Sequence, residues 1–153
     1  MERKMRKSNK LMDKSSVEAL LNRALYGVLG TYGEDGYPYA VPLSYVYDDG
    51  CIYFHCAKDV GHKYENITFC NKVCFTVVDS VETISASFNT KFESAIAFGT
   101  VHEYEKPEKI FHKFIEKYSK GFEKEGQIYI DKAMGNASVY CIEIESMQGK
   151  FKH

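Results

Sequence analysis

Tryptophan is absent from this 153-residue chain, proline occurs only three times, and neither sign of charge prevails. No apolar run approaches the roughly 20 residues that cross a bilayer, which excludes a membrane-spanning helix. Lys and Arg number 20 against 21 Asp and Glu, for a net charge of -1. That balance gives no support to a general nucleic-acid binder. The five cysteines (Cys51, Cys56, Cys70, Cys74 and Cys141) are odd in number and contain no CxxC pair. The basic start, Met1 to Lys7, lacks the apolar segment of a secretory signal. Reduced thiols and a cytoplasmic location are therefore expected. Gly-rich phosphate loops of the dinucleotide or P-loop kind are missing too, as are repeats and linkers. The length predicts one domain over residues 1–153, with residues 1–14 as an arm that is either solvated or packed on a partner subunit.

Aromatic residues make up 14% of the chain, with 12 Tyr and 10 Phe, and lean toward β structure. Ser15-Ser16-Val17-Glu18 fits a capping box. Val17, Leu20, Leu21, Ala24 and Leu25 then recur on one helix face. Residues 26–32 read as a strand and 33–36 as a turn. Residues 37–47 read as a second strand, and Asp48-Asp49-Gly50 as a tight hairpin into a third strand over 51–55. A short helix is expected over 61–70, a fourth strand over 72–79, a polar loop over 80–93 and a fifth strand over 94–105. Pro107 suits the first turn of a helix whose stripe is Ile110, Phe111, Phe114, Ile115 and Tyr118. Another helix over about 125–134 stops at Gly135, and a sixth strand covers 138–147. The class predicted is mainly β with α. It is a six-stranded antiparallel barrel, closed or partly open, with flanking helices.

The densest signal is Tyr37-Pro38-Tyr39-Ala40-Val41-Pro42-Leu43-Ser44-Tyr45, followed by Tyr53-Phe54-His55-Cys56-Ala57-Lys58 and Gly61-His62-Lys63. A central strand does not accept proline, since the ring removes a ladder donor. Pro42 therefore marks an edge or a bulge, either as protection against aggregation or to turn backbone groups toward a flat ligand. Lys58 and Lys63 are either solvated lysines or the charges of a phosphate site at a helix start, where free amides and the helix dipole favour an anion. His55, Cys56 and His62 do not match zinc spacings. Cys56 reads as a small buried apolar group or as a thiol nucleophile. Tyr37, Tyr39, Tyr45 and Tyr47 are placed on one packing face. Gly27, Gly30 and Gly99 are read as close-packing or bulge positions.

Taken in order, these segments resemble the FMN-binding split barrels related to pyridoxamine 5′-phosphate oxidase, and within them the nitroimidazole-resistance branch. Val73-Cys74-Phe75, Ser94-Ala95-Ile96-Ala97-Phe98-Gly99 and Met147-Gln148-Gly149-Lys150 extend the resemblance over nearly the whole chain. The resemblance implies a split β-barrel that forms a homodimer with FMN at the subunit interface. It implies redox chemistry carried by the flavin, with reduced nicotinamide as donor and a small electron-poor acceptor such as a nitroaromatic. It places ring contacts on Val41, Pro42, Leu43 and Ser44, and phosphate contacts on His55, Cys56, Ala57 and Lys58 with His62 and Lys63. Ser94 faces the cofactor from the same or the other subunit. The segment from Ala57 to Lys63 is one residue longer than the family's Ala-x-x-Gly-x-Lys loop, which leaves open which of Lys58, His62 and Lys63 meets the phosphate. The same fold also serves flavin- or haem-binding proteins without turnover and pyridoxamine-phosphate oxidases, and these are the alternative readings.

Overall fold

The computed structural model describes residues 3–153. Seven strands form one antiparallel sheet: β1 (Gly27–Tyr32), β2 (Pro38–Leu43), β3 (Val46–Asp48), β4 (Cys51–Ala57), β5 (Lys72–Ile84), β6 (Asn89–Glu103) and β7 (Ala137–Lys152). Their order is β2-β1-β5-β6-β7-β4-β3. The two outermost strands, β2 and β3, are joined in sequence by only Ser44 and Tyr45. So short a link forces the sheet to curl until its two ends meet. The result is a barrel with one seam left open.

Helix α1 (Lys14–Arg23) packs one face onto the barrel's core. Its Val17, Leu20 and Leu21 join Leu29, Phe54, Phe75 and Ile142 in the main core. A second cluster lies on the other face of β4 and β7. There Ile110, Phe111 and Phe114 of α3 (Pro107–Tyr118) and Ile130 of α4 (Glu123–Ala133) cover Tyr53, Val139 and Cys141. Helix α2 (His62–Phe69) packs against β1, where the buried Asn66 amide donates to the Thr31 hydroxyl at 3.0 Å. Among the described residues, no helix is long and apolar enough to cross a membrane.

Four expectations are corrected. The strand expected over 37–47 is two strands, which raises the count from six to seven. It breaks at Tyr45 because that residue's backbone bonds to α3 side chains instead of a ladder partner. The expected alignment of four tyrosines on one face fails for the same reason: Tyr45 is fully buried while Tyr37 is 73% exposed. The loop expected over 80–93 is the tip of the β5–β6 hairpin, which closes through a single 3-10 turn at Ser85–Ser87. Finally, α1 is capped by Asp13 and not by Ser15. The Asp13 carboxylate accepts the Ser16 amide at 2.8 Å, as an N-cap requires.

The arm beyond Lys14 runs along β7 of its own chain. The Met12 amide donates to the Gly149 carbonyl at 2.9 Å, and Leu11 bridges to Lys150. Met1 and Glu2 lie outside the described residues.

Gly99 sits at the β6–β7 bulge, where a Cβ would lie 2.2 Å from the Glu143 carbonyl oxygen. A backbone atom cannot yield as a flexible side chain does. Gly99→Ala is therefore expected to destabilise the fold by about 3 kcal/mol, read as a lower urea midpoint at unchanged slope.

Candidate functional site

The open seam is where backbone chemistry remains available. Among the described residues β2 pairs only with β1, so its other edge has no ladder. β4 pairs with β3 only at residues 51–53, so residues 54–57 keep one free edge as well. Pro42 is tolerated because β2 is an edge strand, as its ring demands. Strand edges of this kind display amides and carbonyls with no internal partner. The N-terminus of α2 lies at the end of this seam. Its N-cap, Gly61, has φ of +102° and offers no side-chain acceptor. The first amides of the helix therefore stay uncapped and favour an anion. Tyr39 of β2 stacks on His62 of α2 with ring centroids 3.8 Å apart, which ties the helix start to the edge strand.

The structure gathers most of the residues singled out in the sequence around this seam. Val41 and Leu43 turn inward onto the core, while Pro42 and Ser44 are exposed. Cys56 packs on the same core from β4. Burial pushes its thiol pKa up despite the nearby Lys63 charge. It is therefore a protonated thiol at neutral pH and no activated nucleophile. Ala57 and Lys58 are exposed, and the Lys58 amide is bound to the Asn136 carbonyl at 3.2 Å. Lys63 is partly buried in the first turn of α2. Ser138, opposite Cys56 on β7, buries a hydroxyl that has no hydrogen-bond partner among the described residues.

His55 points to the other side of β4, where its ring lies 5.4 Å from that of Phe111 and 4.9 Å from that of Phe114. Burial, with a smaller contribution from the Lys63 charge, holds its pKa below the ordinary imidazole value. The ring is neutral at pH 7. Because the folded form resists protonation, the stability this ring contributes is complete above pH ~6.5 and is lost as the pH falls through the depressed folded value. Urea unfolding at pH 7.5 and 5.5 is expected to show a loss of stability that His55→Phe reduces. An unchanged acid slope in that variant would contradict the assignment.

Ser44 and His55 open into a groove of about 450 Å³ beneath the α3–α4 hairpin, with Phe114, Tyr118, Phe122 and Tyr129 among its walls. The C-terminal end of α3 clamps the link beside it. The Tyr118 hydroxyl accepts the Tyr45 amide at 3.0 Å, and its one proton is shared between the Tyr45 and Leu25 carbonyls at 2.8 and 2.9 Å. The Lys117 ammonium donates to the same Tyr45 carbonyl at 3.1 Å and lies 3.9 Å from the centre of the Tyr45 ring. Burial pushes its pKa down to about 8. Sequence reasoning missed this clamp. Tyr118 reads there only as a member of an apolar stripe, and a contact spanning 73 positions leaves no local signal.

Ser94 is not brought to the seam. It lies on the outer face of β6, opposite Val78 and Lys150. There it lines a separate groove of about 610 Å³ with Arg3, Ile96 and Phe98. Among the described residues no three His, Cys, Asp or Glu side chains gather to hold a metal ion.

A curled antiparallel sheet, an open seam and a helix start beside it define a split-barrel protein. The chain belongs to the pyridoxamine 5′-phosphate oxidase family, whose model matches residues 13–151. Among solved structures it is similar to a proposed 5-nitroimidazole antibiotic resistance protein from Bacteroides thetaiotaomicron, with 23% identity and a TM-score of 0.76 over 92% of this chain and 86% of that one. It is also similar to a conserved hypothetical protein from Mycobacterium tuberculosis, with 19% identity and a TM-score of 0.82 over 97% and 90%. A third is the flavocytochrome Anf3 from Azotobacter vinelandii, with 18% identity and a TM-score of 0.77 over 99% of this chain and 73% of that one. No curated protein matches.

Proposed function

We propose that the protein is a homodimeric, FMN-dependent oxidoreductase that reduces a small electron-poor acceptor, a nitroaromatic in class, at the expense of reduced nicotinamide. The observation that carries this reading is the meeting of two free strand edges with the uncapped start of α2 beside Lys63. A flavin ring has donors and acceptors along one edge, which suits unpaired backbone. Its phosphate is a dianion, which suits uncapped amides and a lysine. The orphaned Ser138 hydroxyl, across the ladder from Cys56, is a further polar group available to a ligand. FMN, when bound, supplies the redox chemistry.

The chain's own part is to hold and surround the cofactor. Val41, Pro42, Leu43 and Ser44 would present the ring contacts, and Lys63 with the amides of α2 the phosphate contacts. Tyr118 and Lys117 fix the link that carries Ser44 and thereby the width of the seam. His55, neutral among rings, keeps that side apolar and adds a hydrogen-bonding nitrogen.

The second copy is supported by the outer face of the sheet. Pro42, Val28, Thr76 and Ile96 form one outward row across β2, β1, β5 and β6, and Ala40, Gly30, Cys74 and Phe98 form the next. Ile96 and Phe98 are 44% and 55% exposed. A large apolar surface of this kind marks an interface. Ser94 lies on the same face, so pairing two copies across it would offer each seam a residue from its partner.

The test is spectroscopic. Purified protein incubated with FMN and desalted is expected to retain visible flavin absorbance, which bleaches with reduced nicotinamide and returns on addition of a nitroaromatic. Retained flavin without acceptor-dependent turnover would favour a storage or sensing role. A colourless protein would end the proposal.

A further inference from the structure

The groove under the α3–α4 hairpin is not needed to hold a phosphate, and aromatic rings make up much of its lining. We propose, resting on the flavin reading above, that this groove seats the substrate and that it takes a small, flat, uncharged aromatic or heteroaromatic molecule. Four observations carry this. First, the groove is continuous with the seam, because Ser44 and His55 border both. Second, its walls are rings: Phe114 and Tyr118 from α3, Phe122 from the turn and Tyr129 from α4. Phe122 and Tyr129 are 61% and 52% exposed, although neither joins a core cluster. Rings held open to solvent at the rim of a cavity are ready to stack on a planar guest. Third, the volume of about 450 Å³ is ample for one small molecule. Fourth, among the described residues the sole charged side chain in the lining is Glu125, a carboxylate. Among the described residues no lysine or arginine lines the groove to offset the charge of an anionic guest, and burying an unpaired charge is costly. Glu125 adds like-charge repulsion. The imidazole of His55, with the hydroxyls of Ser44 and Ser119, supplies uncharged hydrogen-bonding groups, which orient a guest without demanding that it be charged.

The experiment is a calorimetric titration of FMN-loaded full-length protein with para-nitrobenzyl alcohol and with para-nitrobenzoate, which differ in charge but hardly in shape. The alcohol is expected to bind, and the carboxylate to bind at least about tenfold more weakly. Tyr129→Ala and Phe122→Ala, both at exposed positions that the fold tolerates, are each expected to weaken the alcohol by about tenfold with FMN affinity unchanged. Glu125→Gln is expected to narrow the gap between the two probes. Equal affinity for both probes, or ring variants that bind the alcohol as well as the parent does, would overturn the inference while leaving the flavin reading intact. If the protein takes up no FMN, the flavin reading fails by itself. The same titration of the flavin-free protein then decides the groove by the same two criteria.

Discussion

Lys63→Met is expected to weaken FMN binding by roughly ten- to a hundredfold, the weight of one charge-assisted hydrogen bond to a phosphate. Fluorescence quenching of free FMN on titration with protein reads this directly. The expectation comes from placement. Lys63 is partly buried in the first turn of α2, and its charge is close enough to act on both His55 and Cys56. Lys58 lies in an exposed turn. An exposed charge in water contributes little, so Lys58→Met is expected to change affinity by less than about threefold. On the proposed reading Lys63 meets the phosphate in preference to Lys58 and His62, whose ring stacks on Tyr39. A larger loss from Lys58→Met than from Lys63→Met would move the phosphate to the β4 turn and refute the placement.

Tyr45→Ala is expected to cost about 4 kcal/mol, as truncation of a large buried ring does. Tyr45 is fully buried, and its hydroxyl donates to the Leu21 carbonyl of α1 at 2.5 Å. Its ring meets Phe75 edge-on at 4.9 Å. It therefore pins the link between the two ends of the sheet to α1. Tyr45→Phe keeps the ring and removes only the hydroxyl, and is expected to cost about 1 kcal/mol. Denaturant unfolding gives both values. If the two variants lost the same stability, the hydroxyl and not the ring would hold the link, and the packing account would be wrong.

The sequence was most readable where its signals are local. The edge position of Pro42, the one-faced run Val73, Phe75 and Val77 of β5 and the alternation of Ile142 and Ile144 with Glu143 and Glu145 in β7 follow from backbone sterics and period, and the structure shows each of them. It was least readable where distant groups override the local pattern. Nothing between Tyr37 and Tyr47 announces a break, because the partners that capture the Tyr45 backbone sit on α3. The polar tip of the β5–β6 hairpin looked like a loop since its Ser, Thr and Asn residues favour turns, yet ladder pairing resumes past the bulge at residues 79–82. At the site, the cluster along β2, β4 and α2 was legible as a set. The aromatic groove beside it was not, since Phe122 and Tyr129 acquire meaning only when α4 folds back beside α3.

Native mass spectrometry of the full-length protein after incubation with FMN tests the central claim most directly. The account predicts a dimer carrying two flavin mononucleotides, with the flavins lost when Lys63 is replaced. A monomer, or a dimer that leaves the flavin free in solution, would contradict it.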